Sequence, residues 1–317
     1  MTVPFRVTNN GSANRTLDNL QFSMAAMQKL QDRLSSGKTI TKPSDDPPGA
    51  VKSMHYRSDI TRSKQYARNA SDGLGWLGTA DTTLTSSLTS VQRVRDLTLQ
   101  GANGTNGAEA RSALAAEIKQ LKAGLIGLAN TTYAGRSIFS GTADPQGQVP
   151  PLDTYSPTGA YNGNTGSVLR SVGPNAAVAV NVDGPSVWGT PGAEDLWNIL
   201  DGIEAHLTSS DPADQNKLTT SYVSGGVTFE GDLKRLDTAR LNIQNRLSEI
   251  GARYHRVETM LTRADDNVLT MQGGLAETEN ADLAGTIVAF QLQSAAYQAA
   301  LAATAKVIQP SLVDFIR

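Results

Sequence analysis

The chain has 317 residues, with 28 basic and 30 acidic side chains and a net charge of −2, so nothing predicts the basic patch of a nucleic-acid-binding protein. It contains no cysteine, which excludes disulfides and thiolate chemistry, and it shows neither an apolar run of about 18 residues for a membrane span nor a cleavable secretory signal. Hydrophobic content of 39% with 5% aromatic residues suits long helical bundles, and ~150 residues per domain predicts about two domains.

The first predicted helix follows a polar, turn-rich start at residues 8–16. Its apolar residues fall at heptad spacing, with Gln31 at the missing position, and Gly37 is placed to cap its end. This pattern indicates an amphipathic helix of about five turns whose apolar stripe must find a partner. The stripe consists of Leu17, Leu20, Met24, Met27 and Leu34.

Residues 38–50 cannot be helical throughout, because three prolines remove hydrogen-bond donors and clash with a preceding turn. Ser44, Asp45 or Asp46 can cap a new helix that has proline in its first turn. We expect one helix over 49–68 and a second over 72–100, with a weak point at the two glycines of residues 72–75.

The glycine-spaced loop 101–107 predicts a tight connection to a helix at 108–131. Residues 141–194 differ in character, since they hold seven of the 13 prolines and few charges. Runs at 167–172 and 177–182 alternate like strands. We expect a small β-rich domain here, with its own core and dispensable for the helices around it.

A helix over 193–207 leads to the stretch around which the chain is organised, residues 229–275. Its apolar residues alternate at steps of four and three, broken only by Arg240. At 1.5 Å per residue this helix would be about 70 Å long, so it needs partners along its whole length.

A last apolar stripe follows residue 275 and ends before Pro310. Between Thr286 and Gln309 the only charged residue is Lys306, and a helix this apolar is not expected to stay alone in water. The two end segments therefore predict assembly surfaces. The stripe consists of Leu283, Ile287, Phe290, Ser294, Tyr297, Leu301, Thr304 and Ile308.

Motifs for chemistry are weak. Residues 36–39 end like a phosphate-binding loop, but Asp32 stands where its first glycine belongs and a helix precedes it. Asp45 and Asp46 fit helix capping better than metal or acid–base chemistry, and the three histidines are scattered. We predict no catalytic residue, no cofactor and no metal site.

Four segments together resemble bacterial flagellins and their relatives. They are RLSSGKTITKPSDDPPGA at 33–50, NASDGLGWL at 69–77, IGAR at 250–253 and ENADL at 279–283. The segment YAGRSIFSGT at 133–142 and the tail PSLVDFIR are similar to the hook-associated branch of this family rather than to flagellin. The motif positions that carry the resemblance are Arg33, Gly37, Ser44, Asp45, Asp46 and Pro47.

This resemblance implies a mainly α fold: a long antiparallel helical bundle or coiled coil from both chain ends, with a small β-rich domain inserted in the middle. Residues 1–42 and 276–317 would form the terminal coiled coil of an inner tube. Residues 43–141 and 195–275 would form a helical bundle domain, and 142–194 the β-rich insert.

The resemblance also implies a structural protein that joins hook to filament by self-assembly through its terminal helices. Its partners would be copies of itself in a ring, a neighbouring hook-associated protein, flagellin, and the flagellar export chaperone and export apparatus. It would be extracellular and exported without signal cleavage. Two alternatives stay open: a filament subunit, or another secreted coiled-coil protein.

Overall fold

The computed structural model describes residues 9–104, 106–149, 151–192, 194–224 and 227–308, and 68% of these described residues are helical. Three pairs of short antiparallel strands lie between the helices of this described part. The helices are α1 (Asn9–Ser36), α2 (Pro47–Gly101), α3 (Ala108–Ala129), α4 (Gly184–Trp188), α5 (Leu196–Thr208), α6 (Pro212–Asn216), α7 (Asp232–Glu279) and α8 (Leu283–Ile308). The strands are β1 (Thr132–Tyr133), β2 (Arg136–Ser137), β3 (Leu169–Gly173), β4 (Ala176–Ala179), β5 (Tyr222–Ser224) and β6 (Val227–Phe229).

The long predicted helix is α7, whose 48 residues span about 72 Å. Leu236, Ile243, Ile250 and Val257, seven residues apart, are fully buried, as a heptad stripe requires. The predicted start at residue 229 is wrong, because Phe229 ends the β5–β6 hairpin and stacks on Tyr222 at 5.5 Å between ring centroids.

The predicted break at residues 72–75 is also wrong, since α2 is continuous from Pro47 to Gly101. Its glycines permit close packing instead of ending the helix. A Cβ at Gly73 would lie 3.1 Å from Val180, and one at Gly75 would lie 2.2 Å from the Tyr133 hydroxyl. Tertiary contacts thus explain glycines that otherwise weaken a helix.

Packing divides the chain into two compact units, one of Ser63–Asp266 and one of Met1–Arg62 with Asn267–Arg317. The main apolar core belongs entirely to the first unit. In the described part of the second unit, Ala50 and Ile60 are the only apolar side chains that are buried. The three-part division predicted from the sequence stays a prediction.

The expectation that residues 142–194 have a separate core is wrong. Val178, Val180 and Trp188 belong to the same apolar cluster as the helices of their unit. Arg170 pairs with Asp72 of α2 at 2.7 Å. The insert contains the β3–β4 hairpin, whose strands lie close to the two predicted ones. Its apolar side chains pack into the same core as the helices.

The predicted turn-rich start at residues 8–16 is wrong, because α1 is already helical from Asn9, whereas α3, α5 and α8 follow the predictions within a few residues. Asp195 caps α5 by accepting a hydrogen bond from the Asn198 amide, so α5 begins three residues after the predicted start. The predicted fold class, mainly α with a small β-containing middle region, is confirmed. No helix in the described ranges is long and apolar enough to cross a membrane.

Candidate assembly interface

Helices α1 and α8 pack against each other as an antiparallel pair. The Ala281 amide donates to the Gly37 carbonyl at 2.9 Å, and the Gln293 side chain donates to the Ser23 carbonyl at 3.2 Å. Moving from residue 281 to 293 along α8 therefore means moving backwards from 37 to 23 along α1. The two chain ends that the sequence predicted to associate are brought together.

Half-buried side chains mark where the two helices touch. One set of them recurs at steps of four and three in both helices, and Thr304 is buried. We call this set the contact stripe: Thr16, Leu20, Ser23, Met27, Leu30 and Leu34 in α1, and Thr286, Phe290, Gln293, Tyr297, Ala300 and Thr304 in α8.

The predicted apolar stripe coincides with only half of the contact stripe. Leu20, Met27, Leu34, Phe290, Tyr297 and Thr304 lie in it, Ser294 is half-buried beside it, and five other predicted positions stay exposed. Thr16, Ser23, Thr286 and Gln293 were missed because they are polar or small, and only the helix geometry identifies them. The predicted residues that stay exposed are Leu17, Met24, Leu283, Ile287 and Leu301, while Ile308 lies where side chains are not described.

A buried carboxylate ties the base of this pair together. Glu279, the last residue of α7, receives the Arg57 guanidinium at 2.7 Å and the Lys38 ammonium at 3.0 Å. Burial alone would raise the pKa of Glu279, but hydrogen bonds from Arg57, Lys38 and Ser53 outweigh it and lower the pKa. The carboxylate is therefore held in its charged form.

Backbone hydrogen bonds also connect the segment around Glu279 to the loop after α1. The Thr39 amide donates to the Glu279 carbonyl at 2.6 Å, and Lys38 and Asn280 form an isolated antiparallel bridge. Gly37 has a positive φ of 68°, as a helix C-cap requires, and its amide donates to the Arg33 carbonyl at 2.9 Å. The motif after α1 and the motif before α8 thus meet at one junction. We call this junction, formed by Lys38, Arg57 and Glu279, the Glu279 hub.

Asp45 stabilises the loop between α1 and α2. Its carboxylate accepts the Lys42 amide at 3.0 Å and the Thr41 hydroxyl at 3.0 Å, and pairs with Lys29 of α1 at 3.2 Å. These contacts, the Lys42 amide first, hold the pKa of Asp45 far below its usual range. Asp45 therefore fastens the loop to α1.

The remaining motif residues lie around Asp45. Of the three possible caps for α2, Asp46 fits best, because its carbonyl accepts the Ala50 amide at 2.8 Å and Pro47 opens the helix. Ser44 is exposed, and Arg33 lines a cavity of about 210 Å³ beside Lys29 and Asp45. The motif residues serve the loop's structure, and their role in assembly stays a prediction.

The described residues were also compared with the side-chain arrangements that metal sites require. They contain no group of three or more histidine, aspartate or glutamate side chains placed to hold a metal ion. His206 contacts Asp232, which also accepts hydrogen bonds from Tyr222 and Arg235, and His255 contacts Glu258.

Comparisons with known proteins agree with the motifs. Residues 7–144 match the family described as the bacterial flagellin N-terminal helical region. The chain is 26% identical to a flagellin of Bacillus subtilis over 94% of this chain and 95% of that one. It is 22% identical to flagellar hook-associated protein 3 of Salmonella typhimurium, over 93% and 94% of the two chains.

A solved structure, a putative flagellar hook-associated protein from Vibrio parahaemolyticus, shares the fold. It superimposes with a TM-score of 0.63 at 20% sequence identity, over 74% of this chain and 100% of that chain. The helical scaffold and its matching terminal motifs define a structural component of the bacterial flagellum. The predicted resemblance to the hook-associated branch of the flagellin family is confirmed.

Proposed function

We propose that this protein connects the flagellar hook to the filament by assembling with copies of itself through α1 and α8. The observation that carries this proposal is the lack of an apolar core in the pair. Among the described side chains of these two helices, Thr304 alone is buried. Such a pair keeps much of its apolar surface in water until neighbours cover it.

The energetics favour the same reading. Isolated helices are marginal in water, and fully burying one large apolar side chain stabilises by about 1.5–3 kcal/mol. Ordering each residue costs about 1–2 kcal/mol of backbone entropy. Half-buried contacts within one pair leave that cost largely uncompensated, so contacts with other subunits supply the difference.

The proposal includes partners and a location. A ring of copies would contact a neighbouring hook-associated protein on one side and flagellin on the other. The chain would reach this extracellular position through the flagellar export apparatus, escorted by an export chaperone and without cleavage of a signal. We include no catalytic activity, since the interface residues serve packing.

The test is deletion of the gene followed by complementation. We expect cells without the protein to keep their hooks and shed filament monomer into the medium, and the intact gene to restore filaments. Normal filaments in the deletion strain would overturn the proposal.

A filament subunit is the alternative, favoured by the end-to-end similarity to the Bacillus subtilis flagellin. Copy number separates the two functions. A filament subunit is present in thousands of copies along each filament, whereas a junction protein is confined to a short zone. Quantitative immunogold labelling of isolated flagella therefore decides between them.

A further inference from the structure

A cavity of about 490 Å³ lies in the unit Ser63–Asp266, and residues of α4, the loop after α4, α5, β6 and α7 line it. Its volume falls within the roughly 300–1,000 Å³ of small-molecule sites. We call its buried lining residues the base and its exposed lining residues the rim. The two differ in chemistry, and the difference indicates what the cavity can bind.

The base is largely apolar and contains one hydrogen-bond donor that lacks an acceptor. Trp188, Ile199 and Ala239 are 1%, 2% and 8% exposed. The Trp188 indole N–H is buried and has no acceptor in the described part of the chain. Trp76 and Trp197 share this property, but they do not line the cavity. Because a buried indole N–H usually has an acceptor, the base suits a ligand with a carbonyl next to a small apolar group.

The rim consists of short polar and acidic side chains. The hydroxyls of Thr190 and Thr228 and the amide of Asn242 make no side-chain hydrogen bond to another residue within the described ranges. Hydroxyl and amide groups can both donate and accept, as the hydroxyl groups of a sugar also do. The rim therefore suits a ligand that carries several hydroxyls. Its members are Thr190, Glu194, Thr228, Glu230, Thr238 and Asn242.

The charged side chains of the cavity are paired with one another or with neighbours. Glu230 pairs with Lys234, and Glu194 lies 3.5 Å from the Arg235 guanidinium. Arg235 is 6% exposed and also pairs with Asp232 at 3.2 Å. An anionic ligand would lie among three carboxylates, and a cationic ligand would lie beside Arg235. Charge complementarity therefore favours a neutral ligand.

We infer that this cavity binds a neutral sugar that carries an acetamido group. The acetamido carbonyl would accept the Trp188 indole N–H, and its methyl group would pack on Ile199 and Ala239. The sugar hydroxyls would bond to the rim. The inference is independent of the proposed junction role, because neither α1 nor α8 contributes a residue to the cavity.

A second cavity adjoins the first and extends the site to a glycan of two or more rings. Its volume is about 590 Å³, and Pro185 and Thr190 line both cavities. Tyr161 lines it with a half-buried ring, which offers apolar surface to the C–H face of a sugar. Thr165 adds an exposed hydroxyl. A glycan chain that begins in the first cavity can therefore continue into the second.

The three tryptophans of the chain permit a direct test, since each gives one indole N–H signal in NMR spectra. Replacing each in turn by phenylalanine assigns the signals. The full chain is then titrated with N-acetylglucosamine and with three probes that each change one feature. Glucose lacks the acetamido group, N-methylacetamide lacks the sugar ring, and N-acetylglucosamine 6-phosphate adds a negative charge.

We expect N-acetylglucosamine to shift the Trp188 signal until it saturates and to leave the Trp76 signal in place. The other three probes should bind at least about tenfold more weakly, because each loses hydrogen bonds or brings charge to a neutral site. Absence of a saturable Trp188 shift up to about 10 mM N-acetylglucosamine would overturn the inference. Equal binding of any of the three other probes would overturn it as well.

Two asparagine variants test the location of the sugar. Asn242 and Asn245 are both exposed on α7, but only Asn242 lines the cavity, so Asn245→Ala is the matched control for Asn242→Ala. We expect the Kd for N-acetylglucosamine to rise about 3- to 10-fold in Asn242→Ala and to stay unchanged in Asn245→Ala. Both should keep the natural helical circular dichroism. Equal affinity of the two variants would overturn the assignment to this cavity.

The trimer of N-acetylglucosamine distinguishes a glycan chain from a single sugar. It should bind at least about fivefold more tightly than the single sugar, and Thr165→Ala should reduce that gain. Equal affinity of the trimer and the single sugar would overturn the glycan chain as the ligand. These measurements use the isolated chain, so their failure would leave the junction role, which the deletion strain tests, unaffected.

Discussion

The Arg57 guanidinium donates to the Glu279 carboxylate at 2.7 Å, across 222 residues of sequence. Glu279 is buried at the end of α7, whereas Arg57 and Lys38 approach it from partly exposed positions. One carboxylate thus joins the loop after α1, the first part of α2 and the turn into α8. This contact fixes the point from which the two terminal helices extend together.

Replacing Glu279 by glutamine should loosen the terminal pair. The variant removes the charge that holds Arg57 and Lys38, and hydrogen bonds to charged groups contribute about 1.5–3 kcal/mol each. Because both cations are partly exposed and therefore screened by water, we expect a smaller loss, about 1–2 kcal/mol, in the free energy of opening of α8. Hydrogen exchange of α8 amides measures it.

The control is Glu277→Gln, an exposed glutamate in the same helix, which should change the opening free energy by less than about 0.5 kcal/mol. Equal protection of α8 in both variants would show that the Glu279 hub does not hold the pair.

Acid should release the same hub. The pKa of Glu279 is lowered in the folded chain, so its contribution to stability is present above the unfolded pKa of about 4.3 and is lost as pH falls through the folded pKa. The pKa of Asp45 is lowered as well, so the loop it fastens weakens in the same direction. We expect loosening of α1 below about pH 4.

Methyl NMR of the methionines can follow this transition. Met27 lies in the contact stripe and reports on α1, whereas Met260 packs against the core of the other unit and serves as an internal reference. Glu279→Gln should reduce the pH dependence of the Met27 signal. If the Met27 signal had the same pH dependence in the natural protein and in Glu279→Gln, the transition would not be due to Glu279.

The sequence predicts α7 well because Leu236, Ile243, Ile250 and Val257 repeat at the period that burial follows. It fails at Gly75, where the reason for glycine is the Tyr133 hydroxyl, almost 60 residues away in the chain. Helix propensity alone predicts a break at such a glycine, because nothing in the neighbouring sequence indicates that Tyr133 packs closely against it. Phe229 fails similarly, because an apolar residue at helical spacing also fits a strand.

The candidate interface shows the same limit. Apolar periodicity predicts which helices associate, but not the rotation of each helix about its axis. Thr16, Ser23 and Gln293 line the contact although they are polar, whereas Leu17 and Ile287 stay exposed. Under the proposed function, this offset leaves apolar surface that a neighbouring copy can cover. The Arg57–Glu279 pair was beyond prediction, since spacing says nothing about charges so far apart.

The middle segment should be essential for stability, contrary to the expectation from sequence. Trp188 is 1% exposed, lies 5.8 Å from Phe139 and 5.7 Å from Trp197 between ring centroids, and belongs to the common core. Trp188→Ala should therefore lower the free energy of unfolding by about 3–5 kcal/mol. Denaturant titration with a helical circular dichroism signal measures the change.

Val149→Ala is the matched control in the same segment. Its side chain is 97% exposed, so the expected change lies within about 0.5 kcal/mol. An unaltered helical transition in Trp188→Ala would restore the view that the segment folds apart from the helices.

Phe290 and Leu301 should separate pairing within a chain from assembly between chains. Phe290 lies in the contact stripe, whereas Leu301 lies outside the contact stripe and is 44% exposed. An aspartate at 290 places a charge between α1 and α8, which costs free energy because the charge loses water without gaining a partner. Phe290→Asp should therefore speed hydrogen exchange in both helices of the free chain.

Leu301→Asp should leave exchange in the free chain nearly unchanged, because its side chain already faces water. Both variants should abolish filaments in a strain that lacks the natural copy, the first through loss of the pair and the second through loss of the contact between copies. The apolar core of the unit Ser63–Asp266 contains neither residue, so its unfolding transition should persist in both. Equal acceleration of exchange by the two variants would show that Leu301 belongs to the pair itself, and normal filaments with Leu301→Asp would remove it from the assembly surface.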